Sequence, residues 1–143
     1  MIGLIGLAAP ETVSAATQRV YVKDAPVAAT TMDTELNDCV KQVLAYVNGP
    51  TSPVPRLHNP TPDAAIAHAF DLRGPRLAAA TEIKCMADRG YILLTLTADE
   101  NKALSHARGL PARDQWYDAF VAGDLSARIA VARAQAVSVP VIR

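Results

Sequence analysis

The chain has 143 residues, half of them hydrophobic and 20% charged, and its 14 basic and 14 acidic side chains cancel. That is the length of about one globular domain and a folded composition, which sets disorder aside; zero net charge removes any global pull toward nucleic acid or an anionic membrane. Aromatic residues make up only 5%, so the core must come from Ala, Val, Leu and Ile, whose limited area per residue leaves it to gain from a partner surface.

The expected fold class is α+β, mainly α: a small bundle of about five helices with one or two short strands and extended arms at both ends. Residues 1–30 read as an N-terminal arm with a strand, 31–136 as a helical core containing a Pro-rich loop at 49–62, and 137–143 as a C-terminal arm. Met1–Ala9 is apolar and carries no basic n-region, with Pro10 and Glu11 directly after. It is too short to cross a bilayer and makes a poor secretory signal.

Val20 and Val22 alternate with Tyr21 and Lys23, the period of a short strand, and Pro10 and Pro26 bound the stretch. A helix follows, capped by Asp33 or Thr34, with Leu36, Val40, Val43, Leu44 and Val47 on one stripe. Asn48-Gly49-Pro50 stops it through a left-handed cap residue. Pro50, Pro53, Pro55, Pro60 and Pro62 then make a semi-rigid spacer, and a loop of this kind is commonly functional or ordered by a partner. Thr61-Pro62-Asp63 starts a helix that runs to Arg73 and stops at Gly74-Pro75. A second helix, Arg76 to Arg89, is expected to bury Leu77, Ala80, Ile83 and Met86 or Ala87, with Gly90 as its end.

Tyr91–Thr97 reads as a strand with Ile92, Leu94 and Leu96 on one face. Thr97 and Glu100 have capping-box spacing, opening a short helix that ends at Gly109. Pro111 to Ala122 is a further helix, turning Trp116, Ala119 and Phe120 to the core and Tyr117 away from that stripe. Asp124–Val137 stays open: its alanines suit a helix, while Ile129 and Val131 alternate as in a strand. Pro140 suits an extended tail. Cys39 and Cys85 lie among apolar neighbours on predicted helices, which reads as two buried free thiols without a disulfide and an intracellular setting.

No catalytic pattern emerges, and the expectation is a non-enzymatic protein without metal or cofactor, with a small enzyme of unrecognised site as an alternative. His58, His68 and His106 are far apart and lack CxxC, HxH or HExxH spacing; His68 with Asp71 reads as a surface ion pair. No Ser sits in a nucleophile elbow, and the glycines are dispersed rather than clustered before a helix. Asp33, Glu35, Asp99 and Glu100 fall at helix starts, and Arg89 and Arg108 at helix ends, where the helix dipole accounts for them. Arg128, Arg133 and Arg143 make the C-terminal stretch locally basic, a contact for nucleic acid that the neutral total does not favour.

Two stretches carry a family likeness. The helix Asp33–Val47, the segment Pro50–Pro55, the paired helices and the late run Trp116–Ser126 together resemble small bacteriophage neck proteins of the head–tail adaptor or completion type. That resemblance implies a ring-forming virion protein without enzyme activity, whose partners are itself and other structural proteins. Segment 91–122 resembles a ribbon–helix–helix DNA-binding unit, although its strand carries no Lys or Arg. The assembly reading places the interface on Ile2, Leu4, Ile5, Pro53, Pro55, Tyr117, Val139, Val141, Ile142 and Arg143. It gives a virion location if the chain is viral and a cytoplasmic one otherwise.

Overall fold

The computed structural model describes residues 18–52, 61–63 and 73–137. Within them the protein is mainly helical, with five helices around one two-stranded sheet. Strand β1 (Arg19–Val22) leads into α1 (Ala29–Asn48). Helix α2 (Arg73–Asp88), strand β2 (Ile92–Thr95) and helices α3 (Ala98–His106), α4 (Leu110–Val121) and α5 (Ser126–Val137) complete the described chain.

The strands pair antiparallel, with Val20 opposite Leu94, Tyr21 opposite Leu93 and Val22 opposite Ile92. Side chains alternate across a strand, so the ribbon sorts its residues between two cores. Val20, Val22, Ile92 and Leu94 join Ala29, Tyr117, Val121 and Ile129, on the side of α4 and α5. Tyr21, Tyr91 and Leu93 join Cys39 and Met86, on the side of α1 and α2. Met32 packs against both. The expected single apolar face of β2 is thus half of the truth: Leu94 and Leu96 are buried as expected, and Leu93 is packed on the opposite side.

Helix α1 begins a turn earlier than its sequence caps suggest. Ala28 is its N-cap and makes no side-chain cap; Asp118 of α4 accepts the Ala29 N–H instead, at 2.8 Å. A carboxylate from another helix therefore meets the orphan donors and positive end of α1. Asp33 and Thr34 lie inside the helix, and its buried stripe runs Ala29, Met32, Leu36, Cys39, Val43, leaving Leu44 exposed. At the other end Gly49 is extended (φ −74°, ψ 169°), not left-handed. The following Pro50 disfavours helical angles there, and a Cβ on Gly49 would lie 2.5 Å from the Ala45 carbonyl oxygen.

Gly74 and Pro75 are themselves helical, in the first described turn of α2, where the missing proline N–H costs least. Met86 is the buried residue of this helix and Leu77 is partly covered, while Ala80, Ile83 and Ala87 are exposed. Pro62 and Asp63 are helical; the rest of the helix expected up to Arg73 lies outside the described residues, as does most of the Pro-rich spacer. The Thr97–Glu100 capping box forms, with both reciprocal bonds present.

Residues 126–137 are helical. Asp124 accepts the Ser126 N–H at 3.1 Å, and Leu125, Ile129 and Ala132 supply the apolar spacing of a helix face while Val131 points to solvent. Val137 is helical rather than the start of an arm.

The largest departure concerns the cysteines. Cys39 and Cys85 form a disulfide, with Cα atoms 5.8 Å apart, joining α1 to α2. Apolar neighbours on each helix are equally compatible with two thiols and with a bridge; only the antiparallel approach of the helices brings the two sulfurs together.

A candidate interaction groove

Two faces of the molecule carry polar detail, and they differ in kind. Beside the disulfide the polar groups are mutually engaged. The Tyr21 hydroxyl donates to Glu82 Oε1 at 2.8 Å, Lys23 Nζ donates to Glu35 Oε2 at 3.0 Å and lies 4.2 Å from the Tyr91 ring centroid, and Arg89 Nη1 donates to the Glu35 carbonyl at 3.1 Å. The Tyr91 hydroxyl is buried near Glu35 without strict hydrogen-bond geometry. That hydroxyl first, and then Lys23, hold the Glu35 carboxyl below its ordinary range. Burial first, then the neighbouring carboxylates, push the Tyr21 and Tyr91 phenols up. This cluster cements α1, α2 and the ribbon. Arg89, expected to complement its own helix end, bonds a carbonyl of α1 instead.

On the opposite side lies a groove of about 460 Å³. Its walls are the start of β1, the first turns of α1, the end of α3 and the first turns of α4. Met32, Leu104, Leu110 and Trp116 provide the apolar lining, and Arg19, Asp33, Arg113 and Asp114 the charges. Leu110 stands 72% exposed at the first position of α4. Gly109, the residue before it, has φ +82°, a conformation open to glycine at little strain; this kink sets the angle at which α4 leaves α3. Trp116 is held from behind by a stack on Phe120, centroids 5.1 Å apart and planes 11° off parallel.

None of the four groove charges makes an ion pair among the described residues, although ion pairs form elsewhere on the surface. The Asp33 carboxyl is raised, by burial first and by the neighbouring Asp114 second. A second, polar hollow adjoins the groove and shares Leu110 and Arg113 with it, adding Ser105 and Arg108.

The residues nominated from sequence are placed differently. Tyr117 is not a surface anchor: it is 4% exposed, and its hydroxyl donates to the Tyr21 carbonyl at 2.8 Å, tying α4 to β1. Burial, reinforced by Asp118 and Asp33, pushes its phenol up to about 12. Trp116 and Phe120 are partly buried and Ala119 exposed, so the core stripe of α4 is Tyr117 and Val121, one residue around from the expected one.

Arg128 spans Glu100 with both nitrogens, at 2.6 and 3.1 Å, and donates to the Thr95 carbonyl at 2.8 Å; it holds the Glu100 carboxyl below its usual range. Arg133 pairs with Asp24. These two arginines are joined to acids of their own chain. Among the described residues both faces of the β1–β2 ribbon carry packed side chains, unlike the open strand face by which a ribbon–helix–helix unit reads DNA. His106 closes α3, its Nδ1 2.7 Å from the Lys102 carbonyl.

Ile2, Leu4, Ile5, Pro53, Pro55, Val139, Val141, Ile142 and Arg143, with His58 and His68, lie outside the described residues. Among the described residues no three His, Cys, Asp or Glu side chains converge as a metal would require, and no helix is long and apolar enough to cross a membrane. Sequence reading missed the groove. The one available signal was Leu110, an apolar residue between a glycine and a proline, outside any helical stripe.

The fold and groove together define a class: a disulfide-stapled, mainly helical domain with an apolar, charge-rimmed cleft. Comparison of the chain with protein-family models, curated proteins and solved structures found no match.

Proposed function

We propose that this chain is a non-enzymatic assembly protein that acts through protein–protein contact, outside a reducing cytosol. The observation that carries the reading is the groove, where a large exposed leucine and a braced tryptophan meet charges that have no partner within the described chain. Exposed apolar surface rimmed by polar groups marks interaction sites, and aromatic anchors commonly dominate them. The disulfide supports the setting, since such bonds persist in secreted, periplasmic and virion-surface proteins and are rare in the cytosol. It weighs against the cytoplasmic alternative. A ring-forming head–tail connector of a virion is the specific form that the sequence resemblance supplies, and an exterior virion position agrees with the disulfide.

Sedimentation velocity on the oxidised full chain, alone and at rising concentration, tests the reading. Association into a defined species is the expected result. A chain that stays monomeric across the micromolar to sub-millimolar range would argue against a self-assembling role.

A further inference from the structure

We infer that the occupant of the groove is a second copy of this chain, docked groove to groove about a two-fold axis so that Leu110 of each copy fills the cleft of the other. This rests on the assembly reading but not on its ring form, because a two-fold contact closes at a dimer and a ring would need a second, different contact between such dimers. The argument is one of charge. The groove presents two cations, Arg19 and Arg113, and two anions, Asp33 and Asp114, without an internal ion pair among the described residues. A partner patch of one sign would satisfy two of these groups and repel the other two, and like charges facing each other across an interface are costly. A partner must carry both signs in matching number. In a two-fold interface, residue i meets j while j meets i, so a patch holding equal and opposite charges complements itself. In this arrangement Arg113 of one copy faces Asp114 of the other, and Arg19 faces Asp33.

The apolar part obeys the same rule. Leu110 projects from the rim, and the lining of Met32, Leu104 and Trp116 offers a concave surface for one such side chain. Knob and hole belong to the same patch, as an isologous contact requires. The position of Asp33 adds a driving force, because a carboxyl disfavoured by burial and by Asp114 gains when a guanidinium from outside reaches it.

A charge-swap complementation on the full oxidised chain tests this. Arg113→Asp and Asp114→Arg should each weaken self-association at least about tenfold, because each sets like charges against one another across the axis. An equimolar mixture of the two variants should recover association, since each supplies what the other lost. Leu110→Asp should also abolish association while leaving the circular dichroism spectrum unchanged.

If the chain associates but all three variants associate as well as wild type, the groove inference falls and the assembly reading stands on another face. If wild type is monomeric throughout, both fall. If wild type is monomeric and Leu110→Asp lowers its melting temperature as a core substitution would, the groove is filled from within its own chain and the second copy is overturned.

Discussion

The two sides of the ribbon solve the same shortage in different ways. The chain is poor in aromatic residues, and neither face of β1–β2 can be sealed by ring area alone. On the α1–α2 side the solution is covalent and polar: the Cys39–Cys85 bridge, a fully buried Met86, the Tyr21–Glu82 hydrogen bond, and Glu35 bonded by both Lys23 and Arg89. On the α4–α5 side it is packing, with Val22, Leu94, Tyr117, Val121 and Ile129 in contact and a groove left beside them. Arg128 and Arg133 on α5 are paired as well, but the four charges of the groove make no ion pair among the described residues. The lesson is that polar groups locked into a network stabilise a fold, whereas those left facing a cleft are available to a partner.

Removing the covalent element should have the largest effect. The bridge closes a sequence separation of 46 residues, which in the chain-entropy model is worth about 4 kcal/mol. Cys39→Ser combined with Cys85→Ser should lower stability by that order in urea unfolding, and adding a reductant to wild type should reproduce most of the loss. Equal stability of the oxidised and reduced chains would erase the distinction between the two sides.

Within the cores, Met86→Ala should cost about 2–4 kcal/mol, as emptying a fully buried side chain does. Tyr117→Phe should cost about 1–2 kcal/mol, because it leaves the Tyr21 carbonyl without its donor. The same tyrosine predicts an alkaline limb. Its folded value near 12 lies above the ordinary phenol value of about 10. Its contribution is therefore complete below the ordinary value and is lost as pH rises through the folded one. Tyr117→Phe should remove that part of the alkaline slope.

Acid titration separates the ion-paired carboxylates from that of the groove. Glu35 and Glu100 are held below their usual range by their partners. They stabilise the fold above the ordinary carboxylate value, and this is lost as pH falls through their depressed values. Asp33 is raised, so it costs stability at neutral pH, and the cost disappears as pH falls through its folded value. Glu100→Gln should flatten the acid limb at a cost of about 1 kcal/mol at neutral pH, and Asp33→Asn should be neutral or mildly stabilising there. Smallest of all is Leu110→Asp, expected within about 0.5 kcal/mol of wild type when both are measured as dissociated single chains, where the side chain is in water. A larger loss would mean that the groove is part of the core.

Much of this fold can be read from local rules. The alternation of Val20 and Val22 marks β1, Thr97 and Glu100 write their own capping box, and Gly90 ends α2 with φ +88°. These signals depend on residues within a few positions of each other, where backbone geometry alone decides the outcome. Local rules fail where the deciding partner lies far along the chain. Asp118, 89 residues away, caps α1 and moves its start. The Tyr21 carbonyl, 96 residues from Tyr117, draws that side chain inward and turns α4 by one position.

The disulfide and the groove belong to the same category. Cys39 and Cys85 are apolar-flanked whether bridged or not, and only the packing of α1 against α2 joins them. Arg19, Asp33, Arg113 and Asp114 come from three separate elements, each an ordinary surface charge in its own segment. Sequence by itself determined the mainly helical class, most of the element order and the scarcity of core area. Tertiary structure decided which cysteines met, that Tyr117 was buried and which charges lined the groove, because those outcomes depend on distances between elements that no local pattern encodes.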